Sequence, residues 1–157
     1  MAEPTSFEEV LESSGQLVYT NKGVSMLPLL RQGRDLMVIR RRDPGRCKKY
    51  DAVLFRRFER DGSKAYVLHR ILRVNPDGSY WIVGDNCVSG ETVREENILG
   101  VLTEVIRNGK KHVSVTDPNY RAYVHLWCDA YPLRFAVLRA KNLGVRALGK
   151  LKRLLVH

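Results

Sequence analysis

Cysteine is scarce. Cys47, Cys87 and Cys128 are odd in number and far apart, with no CxxC pair and no histidine-bearing cluster beside them. That argues against a disulfide framework or a structural zinc site, and leaves ordinary thiols in a reducing compartment. Long apolar runs are missing too: no stretch reaches the roughly 18 uninterrupted apolar residues that a spanning helix needs. The first 14 residues are acidic and polar where a secretory signal would have a basic start and an apolar run. A cytoplasmic protein is expected, free to lie peripherally on a membrane. Aromatic residues are only 8%, and zinc-finger spacing, a P-loop, a helix-turn-helix pattern, internal repeats and low-complexity tracts are all lacking. Acidic residues vanish after Asp129.

What remains is ample for folding. The 157 residues are 44% hydrophobic, enough for one domain with a terminal appendage. Lys and Arg number 27 against 17 Asp and Glu, a formal charge of +10. A surface of that sign concentrates acidic partners: nucleic acid, an anionic membrane face or an acidic peptide. Arg40-Arg41-Arg42 and Lys48-Lys49 cluster the charge and keep nucleic-acid binding open as an alternative, though the solvated basic face is the simpler account.

The pattern of elements predicts a mainly β protein. Thr5 or Ser6 can cap a short helix with Glu8 or Glu9 as reciprocal acceptor and Phe7, Val10 and Leu11 on its buried side, ending near Gly15. Strands are expected at 17–20, 36–39, 52–55, 66–74, 80–83, 98–106 and 112–115, each rich in β-branched or aromatic residues. Asp61-Gly62, Asn75-Pro76-Asp77-Gly78 and Asn108-Gly109 are tight-turn signals, so the sheet should be antiparallel. Beyond Pro118 the pattern turns helical over 120–130 and 133–156, with Pro132 between. The expected division is therefore a β domain with a short N-terminal helix over 1–117 and a basic amphipathic helical extension over 118–157.

Two segments carry candidate chemistry. Gly23-Val24-Ser25-Met26-Leu27-Pro28 is a Gly/Pro-punctuated corner that can expose a serine oxygen beside backbone N–H groups, as a nucleophile needs. A turn serine bonding its own backbone is the alternative. His69 lies in the β-forming run Tyr66-Val67-Leu68-His69-Arg70-Ile71. A neutral imidazole there can accept the serine proton, with a reference pKa near 6.5. It can equally be a satisfied strand histidine, and local pattern alone does not pair it with Ser25.

With Gly33 and Asp35 following the first segment, His69-Arg70-Ile71 next and Gly84-Asp85-Asn86 after that, residues 17–116 resemble the superfamily of type I signal peptidases and self-cleaving SOS and phage repressors. The resemblance implies a β peptidase domain with Ser25 as nucleophile and His69 as general base. Ser89 and Glu91 fall near positions where a hydroxyl and a carboxylate help hold the base, and Glu91 and Asp85 are both candidates for orienting the imidazole. Histidine at the base position is similar to the endoplasmic-reticulum and sporulation-type signal peptidases, where bacterial enzymes and repressors use lysine. Two departures stand out: Cys87 replaces the usual basic residue after Gly-Asp-Asn, and Gly23 offers no hydroxyl to an oxyanion. Only 24 residues precede Ser25, without an apolar anchor or room for a DNA-binding domain, so autoproteolytic repression is not expected.

The resemblance implies acyl transfer without a metal or organic cofactor, on a peptide or small precursor protein held extended near Gly23, Val24, Met26 and Pro28. A catalytically silent peptide-binding module is the alternative. In the C-terminal segment Leu133, Val137, Ala140, Gly144, Leu148, Leu151 and Leu155 share one helical face, ringed by Arg134, Arg139, Lys141, Arg146, Lys150, Lys152 and Arg153. That face can rest on an anionic bilayer, pack on the domain or meet a partner protein.

Overall fold

The computed structural model describes residues 6–42 and 45–155. Thr5, Val156 and His157 lie outside them, and so do the side chains of residues 147 and 149–155, which include Lys150, Leu151, Lys152, Arg153 and Leu155.

The chain is mainly β. Helix α1, Phe7–Ser14, starts at Ser6, whose hydroxyl accepts from the Glu9 amide while the Glu9 carboxylate accepts from the Ser6 amide. This reciprocal cap satisfies two amides that the first turn leaves without intrahelical partners. Strands β1 (Gln16–Thr20), β2 (Asp35–Arg41), β3 (Ala52–Phe58), β4 (Lys64–Val74), β5 (Tyr80–Val83), β6 (Gly90–Val93), β7 (Ile98–Arg107) and β8 (Lys111–Ser114) form one antiparallel sheet. Their order is β1-β2-β7-β3-β4-β5-β6, and β8 adds to β7. The two ends of β7 have different neighbours on one edge: β3 pairs at Ile98–Val101 and β8 at Glu104–Arg107. The β7–β8 turn places both Asn108 and Gly109 at positive φ, as the Asn-Gly signal requires.

Register shifts interrupt the pairing at Val38/Ile39, Leu54/Phe55 and Ile71/Arg73. Such irregularities bend a strand and increase its twist. The sheet curls far enough for β1 and β4 to share a neighbour although three strands separate them in the sheet: the Phe7 ring lies 4.7 Å from Tyr19 and 4.8 Å from Tyr66.

Side chains alternate across β3. Ala52 and Leu54 join a core with Met26, Leu30, Ile39, Leu102 and Val105, while Val53 and Phe55 join a second core with Ile71, Tyr80 and Ile82. Burial on both faces makes β3 the centre of the fold.

Helices α2 (Pro118–Cys128) and α3 (Tyr131–Leu155) complete the chain. The expected boundary between residues 117 and 118 does not separate α2 from the β domain, because Tyr120, Val124 and Cys128 are buried in the larger core. Tyr123 and Trp127 also reach into the sheet's loops, as described below. No helix among the described residues is long and apolar enough to cross a membrane.

Candidate active site

Ser25 sits in the turns between β1 and β2. Its loop is held from several sides: Gly23 donates its amide to Gln32 Oε1 at 2.8 Å, and Asn21 Nδ2 donates to the Gly23 carbonyl at 3.1 Å. Behind it Met26, Leu29 and Leu30 are buried in the core, and the Leu27–Pro28 peptide is cis. Asp35, buried at the start of β2, accepts from the Arg31 amide at 2.9 Å, from Arg34 at 2.7 and 2.6 Å and from Arg107 at 3.2 Å. Burial alone would raise its pKa, but the hydrogen bonds and cations outweigh this and hold it below the usual carboxylate value. Asp35 thus acts on the loop's architecture, and Gly33 turns the same loop with φ at +74°.

His69 lies on β4 opposite Val53, with its ring 6.1 Å from that of Phe55. It is nearly enclosed, yet neither its imidazole nitrogens nor the Ser25 hydroxyl has a hydrogen-bond partner among the described residues. Burial, helped by the Arg57 cation, pushes the His69 pKa from 6.5 down to about 4. At neutral pH the imidazole is therefore an unprotonated acceptor.

Ser25 and His69 line the same cleft, about 490 Å³ in volume, whose walls include Tyr19, Thr20 and Lys22 on one side and Tyr66, Val67 and Arg57 on the other. Its geometry turns on Gly84. A Cβ there would stand 2.7 Å from Cys87 Sγ, 2.8 Å from the Ser25 carbonyl oxygen and 2.9 Å from His69 Nε2. Those three atoms converge on a point that a larger residue would occupy, so glycine is what allows the serine loop and the imidazole to approach one another.

The next two residues complete the clamp. The Asn86 amide donates to the Ser25 carbonyl at 2.8 Å and its side chain donates to the Val24 carbonyl at 3.1 Å. The Ser25 and Met26 amides have no acceptor among the described residues, so two unpartnered N–H groups adjoin the hydroxyl. Val24 is exposed beside them, whereas Met26 is fully buried and belongs to packing.

Of the two carboxylates considered for orienting His69, Asp85 has other partners. It is fully buried and accepts from Arg70 Nε at 2.9 Å and Nη2 at 2.8 Å, and from the Tyr123 hydroxyl at 2.7 Å. The Trp127 indole donates to the Asp85 carbonyl at 2.8 Å, and Arg70 Nη1 donates to the Tyr50 carbonyl at 2.9 Å. Asp85 therefore ties β4, through the residue after His69, to α2. Glu91 on β6 is the carboxylate that faces the imidazole, with Oε1 at 3.8 Å from Nδ1. That separation is too long for a direct hydrogen bond. The same oxygen lies 3.4 Å from Arg57 Nη1, so the carboxylate is shared with that cation. Ser89 is exposed and has no hydrogen bond among the described residues.

Arg57, Asn86, Tyr123 and Trp127 carry no sequence signal that marks them as site residues. Asn86 lay in a recognisable box, but its grip on the serine loop depends on a long-range approach that no local pattern records. Cys87 lines the cleft with a thiol that burial raises above its usual pKa, and Cys47 and Cys128 are pushed up to about 11 by burial. None of the three is a ready thiolate at neutral pH. No group of three or more metal-ligating side chains is found among the described residues. Compared with known proteins, the chain matches no family model, no curated protein and no solved structure.

Proposed function

We propose that the protein is a serine endopeptidase that cleaves a peptide or small precursor protein through Ser25 and His69. The observation that carries this reading is that the two side chains, distant in sequence, line one cleft beside a glycine with no room for a side chain.

In the proposed reaction His69 takes the Ser25 proton as the hydroxyl oxygen attacks a substrate carbonyl carbon. The carbonyl oxygen becomes an oxyanion facing the amides at Ser25 and Met26. Collapse breaks the C–N bond, and the imidazolium gives its proton to the departing amine. Water then attacks the acyl-enzyme, His69 accepting its proton, and Ser25 is regenerated as the acid product leaves. Strand β1 pairs only with β2 among the described residues, and its end at Tyr19 and Thr20 borders the cleft. An extended substrate can add to that free edge by backbone hydrogen bonds. Nothing in the scheme calls for a metal or organic cofactor.

Incubation with a mixed peptide library, read by mass spectrometry, tests the proposal. Wild-type protein should give a recurrent cleavage that Ser25→Ala and His69→Ala proteins lack; cleavage retained by Ser25→Ala protein overturns it. The depressed basicity of His69 favours a second reading, a peptide-binding module without turnover. That reading requires a library peptide to be retained intact by the wild type after prolonged incubation.

A further inference from the structure

The apolar face of α3 is turned away from the body of the protein. The first turns of α3 meet the body through Arg134 and Leu138, both buried, and through the partly covered Tyr131 and Phe135. The Arg134 guanidinium lies 5.6–5.9 Å from the ring centres of Trp127, Tyr131 and Phe135 and donates to the Trp127 carbonyl at 3.3 Å. At 3.6 residues per turn these four residues share one side of the helix. Leu133, Ala136, Val137, Ala140, Leu143 and Leu148 fall on the opposite side, within an arc of roughly 140°.

All six are exposed, with Leu133 at 67%, Val137 at 58%, Leu143 at 65% and Leu148 at 62%. The stripe therefore does not pack on its own domain. Exposed Lys141 flanks it on one edge, and Arg139 and Arg146 flank it on the other. From Ala130 to the end the sequence holds seven Lys or Arg and no Asp or Glu.

We propose that α3 docks the protein on an anionic lipid bilayer, lying in the interface with the Leu133–Leu148 stripe among the acyl chains. The charge pattern selects this occupant. Cations at both edges of a wide apolar arc can extend their charged ends to lipid phosphates while their stems cover apolar surface. A second copy of the helix would set like charges against each other along its whole length. The helix lies on the bilayer and does not cross it, since it is not apolar enough to span. The inference is independent of the peptidase reading, and Ser25→Ala protein should bind as the wild type does.

Co-sedimentation of the full chain with vesicles tests it. Wild-type protein should pellet with vesicles of phosphatidylcholine and phosphatidylglycerol and stay in the supernatant with phosphatidylcholine alone. Changing Arg139, Lys141 and Arg146 together to Gln should lower partitioning on the order of a hundredfold. Val137→Asp with Leu148→Asp should lower it more than about tenfold. Because all five positions are exposed, the variants should melt with the wild type. Failure to pellet with the anionic vesicles, equal pelleting with both vesicle types, or binding unchanged in both variants would overturn the proposal. So would a wild-type dimer that Val137→Asp and Leu148→Asp dissociate, because a second copy would then cover the stripe.

Discussion

His69 owes its protonation state to its surroundings. Burial and the neighbouring Arg57 bring its pKa down to about 4, whereas the sequence alone offered only the reference value near 6.5. A base must be unprotonated to accept the serine proton, so turnover should be present across neutral pH and fall as pH drops through about 4. Replacing Arg57 with Gln removes the cation that disfavours the imidazolium and leaves Glu91 facing the ring without its counter-charge. The limb of the kcat/KM profile should then move up part of the way from about 4, because burial, the larger cause, remains; an unmoved limb would mean that the Arg57 charge does not reach the imidazole. Gly84 makes an equally local prediction. Its Cβ would press on Ser25, His69 and Cys87 at once, so Gly84→Ala should cost about 1–3 kcal/mol of stability through overpacking. Shifting the reacting groups by about an ångström should also lower kcat/KM on the order of a hundredfold. Melting curves and steady-state kinetics on the same preparation check both effects.

At the level of elements, most of the sheet was legible and its edges were less so. Strand β5 begins and ends where its aromatic and β-branched run does, and the Asn-Gly turn marks the β7–β8 hairpin. Strand β6 carries no sequence signal because Gly90-Glu91-Thr92-Val93 has one buried apolar residue and, among the described residues, pairs only with β5, so no alternation announces it. The helical character of α2 was legible, but its membership of the core was not. Tyr123 and Trp127 find their acceptors on Asp85, about forty residues back in the chain, and local pattern carries no information at that range. The same is true of Asp85: its place after a glycine in a recognised box made it a candidate for the imidazole, whereas its actual partners are Arg70 and Tyr123. The two carboxylates should therefore separate in experiment. Asp85→Asn weakens a buried, fully bonded ion pair that joins β4 to α2, and a loss on the order of 3–5 kcal/mol in urea unfolding is expected. Glu91→Gln is half-exposed and should leave stability within about 1 kcal/mol of wild type.

Over the whole molecule, a curled antiparallel sheet brings together a loop after β1, the middle of β4 and the turn after β5. The ordered segments around Ser25, His69 and Gly84 are visible in sequence, but their convergence depends on long-range strand pairing across the sheet, which no local pattern records. Of the charge behind the net +10, seven Lys or Arg and no Asp or Glu follow Asp129 in the sequence. Cleft and basic helix are thus two separable surfaces on one chain. The cleft is tested most directly by intact-protein and peptide mass spectrometry after treatment with a fluorophosphonate, a reagent that reports an activated hydroxyl without knowledge of the substrate. One adduct, on Ser25, is predicted at neutral pH, with formation lost in His69→Ala protein and in wild-type protein brought well below pH 4. An adduct elsewhere, or labelling of Ser25 that proceeds equally well without the imidazole, would contradict the account.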